Sequence, residues 1–190
     1  MNADDATSEG RASARPTVRR SVRADERRTC GSTSLRDEIE QRKHPIHLPP
    51  LERHNLSIII YVTACTAKRR KVLACPEVHQ AIVAAWVQAS TWLVGRYVVM
   101  PNHVHFFCAP NGFEAPSLER WMRFWKSRVT ATIGNPGGGL WQRDHWDRQL
   151  RRGQSYDEKW DYVRNNPVRH GYLNDPDDWP YQGELHELRW

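Results

Sequence analysis

Hydrophobic and polar positions follow two different periods along this chain, and the changes between them predict an order of strands and helices. Runs rich in β-branched and aromatic residues predict strands at 56–63, 92–100 and 103–109. Apolar residues three and four apart predict one helix that begins at Pro76 and a second from Leu118 to about Ile133. A short or broken strand between Leu140 and Arg151, and a helix that begins at Tyr156, complete the pattern.

The predicted order β, α, β, β, α, β, α suits an α+β fold, with an antiparallel sheet and helices packed on one face in a ferredoxin-like arrangement. A length of 190 residues permits one domain plus tails, and we place the domain at 45–190. Residues 1–44 contain few large apolar side chains and many Arg, Ser and Thr, which predicts a disordered basic extension. A solvated tail or a misassigned start codon explains the same residues equally well. Residues 176–190 are too mixed to assign.

Composition and charge limit the classes of protein to which this chain can belong. Hydrophobic residues make up 39% of the chain, and no apolar run is long enough to cross a membrane, so we expect no membrane association. The formal net charge of +6 favours a polyanionic partner without proving one. Four cysteines form no C-x-x-C pair, which argues against structural zinc and indicates a reducing, cytoplasmic setting.

Two pairs of residues carry candidate chemistry. In a strand, His103 and His105 point to the same face and present two imidazoles side by side, which is half of a metal site. The plainer alternative is one core histidine and one surface histidine. Tyr162 and Asn166 are four apart in a helix that we expect to stop before Pro167, so they share one helical face. A phenol and an amide oxygen that faced two imidazoles would form a nucleophile beside a three-ligand metal site.

The two motifs around these residues resemble those of a known family. Met-Pro-Asn-His-Val-His from Met100 and Tyr-Val-Arg-Asn-Asn-Pro-Val-Arg-His-Gly from Tyr162 resemble the single-tyrosine HUH transposases, and most closely the REP-associated tyrosine transposases. The resemblance covers roughly residues 45 to 185. It implies an HUH endonuclease fold, with His103 and His105 as metal ligands, Asn166 as the third ligand and Tyr162 as the nucleophile.

The same resemblance implies an activity. Such enzymes cut and rejoin structured single-stranded DNA, a hairpin with a short recognition sequence, through a covalent 5'-phosphotyrosine and with Mg or Mn. Two imidazoles alone would also suit zinc. A non-catalytic nucleic-acid-binding regulator derived from a transposase, and a metal-dependent hydrolase or nuclease that uses water, remain the alternative functions. Both a monomer and a homodimer are compatible with the sequence.

Aromatic and basic residues near the motifs are candidates for DNA contacts. Trp141 and Trp146 lie among arginines and could stack on unpaired bases. His145 and His170 flank the motifs as surface or phosphate-contacting side chains, and Tyr172 is predicted to be a packing residue. The predicted DNA-binding set is Arg143, Trp146, Arg148, Arg151, Arg152, Arg164 and Arg169.

Overall fold

A five-stranded antiparallel sheet forms the centre of the computed structural model, which describes residues 58–134, 139–150 and 156–189. Its strands run in the order β4-β1-β3-β2-β5, and the first four have the order of a ferredoxin-like sheet. Within these ranges no helix has the length and apolarity to span a membrane. The strands are β1 (Ile60–Cys65), β2 (Trp92–Met100), β3 (His103–Pro110), β4 (Trp146–Gln149) and β5 (Gln182–Glu184).

Two long helices cover one face of this sheet. Helix α1 (Pro76–Gln88) begins with a proline, whose missing N–H needs no partner in a first turn. Helix α2 (Leu118–Ile133) is capped by the Ser117 side chain, which accepts a hydrogen bond from the Arg120 amide. Two shorter helices follow, α3 (Tyr156–Arg164) and α4 (Asn166–Arg169), and single 3-10 turns occur at Ala67–Arg69 and Pro176–Asp178.

The helix-covered face contains the larger core. Phe106 of β3 lies 5.1 to 6.0 Å, between ring centroids, from three tryptophans of α1 and α2. These tryptophans are Trp86, Trp121 and Trp125, and none is more than 2% exposed. Their full burial removes a large apolar area from water, so this face supplies much of the stability of the fold.

The opposite face is only partly covered. Helix α3 packs on it through Val163 and Tyr156, and the edge of the Tyr156 ring meets Phe107 at 4.8 Å. The Tyr156 hydroxyl accepts a hydrogen bond from the Arg96 amide, which fixes α3 against β2. The remainder of the face, around His103 and His105, is left for polar and charged side chains.

The structure confirms the predicted bounds of β2 and α2 and corrects several others. The first strand was predicted to end at residue 63, but Ala64 and Cys65 extend β1 and pair with Val104 and His103. The helix of Tyr162 ends at Arg164 rather than just before the proline, and Pro167 instead occupies the first turn of α4. The predicted extension at residues 1–44 and the start of the predicted first strand lie outside the described residues.

Candidate active site

The two histidines of β3 point to the partly covered face and converge. His103 pairs across the sheet with Met100, and His105 lies between Val98 of β2 and Thr63 of β1. The distance between their two Nε2 atoms is 3.0 Å, and the ring centroids are 4.6 Å apart. The alternation of a strand therefore brings both imidazoles to one point.

Hydrogen-bond partners fix the orientation of each imidazole. His103 Nδ1 lies 2.6 Å from Asn102 Oδ1, which can accept a hydrogen bond from its N–H. His105 Nδ1 lies 2.8 Å from both the Tyr61 hydroxyl and the Thr63 hydroxyl. A hydroxyl group can donate or accept, so His105 can carry its proton on either ring nitrogen without losing a partner. Both Nε2 atoms can thus present lone pairs to the same point.

Burial keeps both imidazoles neutral. It lowers the pKa of His103 to about 4, with smaller contributions from the charges of Arg69 and His170. It lowers the pKa of His105 well below the ordinary value, and His103 and Lys159 add to the effect. Neutral imidazole is the form that binds a metal ion.

The histidine pair fits a divalent cation. Two nitrogens that each lie about 2.1 Å from one ion, at a right angle, are about 3.0 Å apart, which matches the Nε2 separation. Partners on both Nδ1 atoms are the usual support of metal-binding histidines. In the described part of the chain no group of three or more His, Cys, Asp or Glu side chains is arranged to hold a metal ion. Among the described residues, a further ligand to the two histidines would be of another residue type, and a substrate could supply others.

Tyr162 stands exposed on α3 between two cationic side chains. Its side chain is 52% exposed, the Lys159 Nζ lies 4.8 Å from its ring centroid, and the Arg169 guanidinium carbon lies 4.4 Å from it. A hydrogen bond from Arg169, and the charge of that residue, lower the pKa of Tyr162, and Lys159 contributes in the same direction. The arrangement favours the phenolate, the more nucleophilic form.

Lys159 connects this tyrosine to the histidine pair. Its Nζ also lies 4.8 Å from the ring centroid of Tyr61, whose hydroxyl contacts His105. Burial raises the pKa of Tyr61 to about 12, whereas the pKa of Tyr162 is lowered. Among the described contacts, no hydrogen bond joins Tyr162 directly to either histidine.

Asn166 lies at the start of α4 and is buried. Its side-chain amide donates a hydrogen bond of 2.8 Å to the Val163 carbonyl, and it is 7% exposed. Within the described residues no hydrogen bond joins it to His103 or His105. Its role as a third ligand therefore remains a prediction.

The predicted DNA-contacting residues fall in different places. Trp146 pairs with Thr63, and Arg148 pairs with Tyr61, so strand alternation puts both on the histidine face, where both are exposed. Arg164 forms an ion pair of 2.9 Å with Asp177. Arg143 lines a cavity beside α2. Arg151 and Arg152 lie outside the described residues.

The structure does not support a stacking role for Trp141. Its ring meets Trp125 at 5.2 Å and packs against the core under α1 and α2. A backbone bridge with Thr66 holds it there. Both Trp141 and Trp146 were predicted as candidates for stacking on unpaired bases, but only Trp146 lies on the histidine face.

Several residues near the histidines were not predicted from the sequence. Tyr61 and Thr63 become neighbours of His105 only through the register between β1 and β3, which the sequence does not specify. Lys159 carries a signal that could have been used, because it lies three residues before Tyr162 and so on the same side of a helix. Arg69 lies in the turn after β1 with a positive φ of 54°, for which the sequence gives no sign.

Comparisons with known proteins bear on the resemblance of the motifs. A REP-associated tyrosine transposase of Escherichia coli K12 is 32% identical over 89 residues, 46% of this chain and 52% of the relative. A putative REP-associated tyrosine transposase of Haemophilus influenzae Rd is 42% identical over 43 residues, 23% of this chain and 24% of the relative. The chain thus spans about half the length of the first relative and less of the second. No profile of a known protein family matches the chain.

A solved structure shares the fold. It is a REP-associated tyrosine transposase bound to a REP hairpin, and it superposes with a TM-score of 0.60 over 74% of this chain and 80% of its own, at 22% identity. At that identity the match bears on the fold alone. Similarity in sequence and similarity in fold together confirm the resemblance predicted from the two motifs: this chain is similar to the REP-associated tyrosine transposases and has an α+β fold of the HUH type.

Proposed function

We propose that this chain is a metal-dependent single-tyrosine transposase that cuts and rejoins hairpin-forming single-stranded DNA. Tyr162 is the nucleophile, and His103, His105 and Asn166 hold a divalent cation, Mg or Mn. The observation that carries the proposal is the pair of Nε2 atoms 3.0 Å apart, on the same face of the sheet as an exposed tyrosine set between two cations. The relatives named above, and the hairpin bound by one of them, support the choice of substrate.

The reaction begins with the tyrosine hydroxyl. Arg169 and Lys159 favour loss of its proton, since both cations lower its pKa. The phenolate oxygen attacks the scissile phosphorus, an O–P bond forms to Tyr162, and the bond from phosphorus to the 3' oxygen breaks. That oxygen takes up a proton and leaves as a 3' hydroxyl, while the 5' phosphate stays on the tyrosine. A later 3' hydroxyl reverses the exchange, so no nucleotide cofactor is needed.

The proposed metal-binding residues are uncharged and would act through the cation that they hold. A divalent cation held by them would stabilise the negative charge that builds on the phosphate oxygens in the transition state. The neutral state of both imidazoles, set by burial, is what keeps them available as ligands at neutral pH. The exposed position of Tyr162 suits an unpaired strand, which can bring its phosphate to this face without the melting of a duplex.

Covalent trapping tests the proposal. Labelled single-stranded hairpin DNA is incubated with the protein and manganese, and the products are separated under denaturing conditions. We expect DNA attached to wild-type protein and none attached to the Tyr162→Phe variant. Tyr156→Phe is the matched control on the same helix and should keep cleavage, because that hydroxyl packs against β2 and faces no reacting group.

Two outcomes would contradict the proposal. Cleavage at an undiminished rate by Tyr162→Phe would point to a water nucleophile and a nuclease. Tight DNA binding by the wild-type protein without any cleavage in manganese, over a range of hairpins, would point to a non-catalytic regulator.

A further inference from the structure

Aromatic rings form a continuous row across the partly covered face, with the histidine pair in its middle. Successive ring centroids are 5.4, 5.6, 4.6, 6.3 and 6.3 Å apart. We call this set the aromatic row; in order it consists of Trp146, Tyr61, His105, His103, His170 and Tyr172.

The two ends of the aromatic row are exposed and its inner tyrosine is not. Trp146 is 40% exposed and Tyr172 is 43% exposed, whereas Tyr61 is 5% exposed. Large aromatic side chains with open surface on both sides of a candidate active site are available to a ligand, and three of the rings between them, those of Tyr61, His105 and His103, belong to strands of the sheet.

Tyr172 is supported from behind. Its ring lies 5.6 Å from that of Trp179 with the planes tilted by 37°, and the indole N–H of Trp179 donates to the Val99 carbonyl at 3.0 Å. Its own amide donates to the Pro167 carbonyl after Gly171 turns the chain with a φ of 71°. The backbone of Tyr172 is therefore bonded to α4, and its ring packs on Trp179, which is itself bonded to β2.

Cations accompany the aromatic row. Arg148 is exposed on β4 beside Trp146, and Lys159 lies over Tyr61. Arg169 follows on α4, three residues before Tyr172. Exposed aromatic rings combined with cations are what a protein uses to hold unpaired nucleic acid, with bases stacked on the rings and phosphates near the charges.

We propose that Tyr172 is a second base-stacking residue, opposite Trp146, and that a single DNA strand crosses the sheet along the aromatic row. The strand places its scissile phosphate over the histidine pair, one unpaired base on Trp146 and another, from the other side of the cut, on Tyr172. This inference rests on the proposed function for the position of the cut. Binding along the aromatic row does not depend on it.

The first experiment measures binding without cleavage. Fluorescent oligothymidylate is titrated with Tyr162→Phe protein that also carries Tyr172→Ala, Tyr172→Leu or Tyr172→Phe. We expect the alanine and leucine variants to bind about 5-fold to 100-fold more weakly, because a base loses its stacking partner, and the phenylalanine variant to bind normally. The leucine variant keeps an apolar contact with Trp179, so an equal loss in both variants cannot be ascribed to misfolding. Phe124→Ala is the matched control, an exposed aromatic on α2 behind the other face, and should have no effect.

The second experiment locates the two bases. In a hairpin that the wild-type protein cuts, the fluorescent base 2-aminopurine is placed on one side or the other of the cleavage site. Tyr172→Ala should relieve quenching on one side only, and Trp146→Ala on the opposite side only. Relief on the same side by both variants would overturn the proposed path.

The failure of this inference can be told apart from failure of the proposed function. Unchanged oligothymidylate binding by Tyr172→Ala overturns the inference, even if the wild-type protein forms a covalent adduct. Weakened binding by Tyr172→Ala and Tyr172→Leu supports the stacking residue, even if no adduct forms.

Discussion

The two faces of the sheet use the same kinds of residue for opposite purposes. On the face under α1 and α2, Trp86, Trp121 and Trp125 are buried against Phe106. On the other face, Trp146 and Tyr162 are exposed beside arginine and lysine. Because side chains alternate along a strand, adjacent residues such as His105 and Phe106 belong to different faces. Around the histidines of β3 this alternation separates the larger core from the candidate chemistry, so substitutions on the two faces should damage different properties.

The largest expected effect is on stability, from the helix-covered face. Trp125→Ala leaves a cavity among Trp86, Phe106 and Trp141 and should lower the free energy of unfolding by about 3 to 5 kcal/mol. Trp146→Ala, the control on the other face, should change it by no more than about 0.5 kcal/mol. Urea denaturation measures both. Similar losses for the two variants would break the division between faces.

The second effect is on metal affinity. His105→Ala removes one of two converging nitrogens and should weaken manganese binding by more than about 100-fold, measured by calorimetric titration. Asn166→Ala should weaken it less, since an amide oxygen is the poorer ligand. Unaltered manganese affinity in the double His103→Ala, His105→Ala variant would show that the two histidines do not bind the metal.

A smaller effect on metal affinity is expected from the two hydroxyls that contact His105. Tyr61→Phe and Thr63→Val each remove one of two hydroxyls that contact His105 Nδ1, so each single variant should bind manganese almost normally. The double variant leaves that nitrogen without either partner and should lose about 10-fold to 100-fold. The double-mutant cycle therefore predicts strong coupling, and simple additivity would contradict the shared hydrogen bond.

The smallest expected effect is on the pH dependence of cleavage. Arg169 lowers the pKa of Tyr162, so Arg169→Gln should raise that pKa and reduce the phenolate at neutral pH. Cleavage at neutral pH should fall by on the order of 5-fold, the upper range for an exposed charge pair, and recover as pH rises. Arg164→Gln is the control, because Arg164 pairs with Asp177 instead. A parallel drop at every pH would mean that Arg169 acts by binding DNA rather than on the tyrosine.

The sequence predicted the parts of the fold that have a strong period. Strand β2 and helix α2 have the predicted bounds because their apolar patterns are long and unbroken. Strand β5 has three residues and was not predicted, since a strand that short has no readable alternation. Helix α3 was predicted too long: the break falls at Asn165, whose φ of −78° and ψ of 0° remain in the helical region.

The candidate site, like the fold, was predicted from the sequence only in part. Motif spacing was enough to bring His103 and His105 together, because one strand fixes their common direction. It could not find Tyr61 and Thr63, which become neighbours of His105 through pairing across the sheet. Nor could it separate Trp141 from Trp146: Trp141 lies before β4 and packs under the long helices, whereas strand pairing turns Trp146 to the other face.

Identification of the residue that carries DNA tests the central claim most directly. Tyr61 and Tyr162 both contact Lys159, but burial raises the pKa of the first to about 12, while Arg169 lowers the pKa of the second. Protein trapped on hairpin DNA is digested with nuclease and protease, and the modified peptide is sequenced by mass spectrometry. We predict a nucleotide remnant on Tyr162 alone. A remnant on Tyr61 or on any other residue would contradict the assignment of the exposed tyrosine on α3 as the nucleophile.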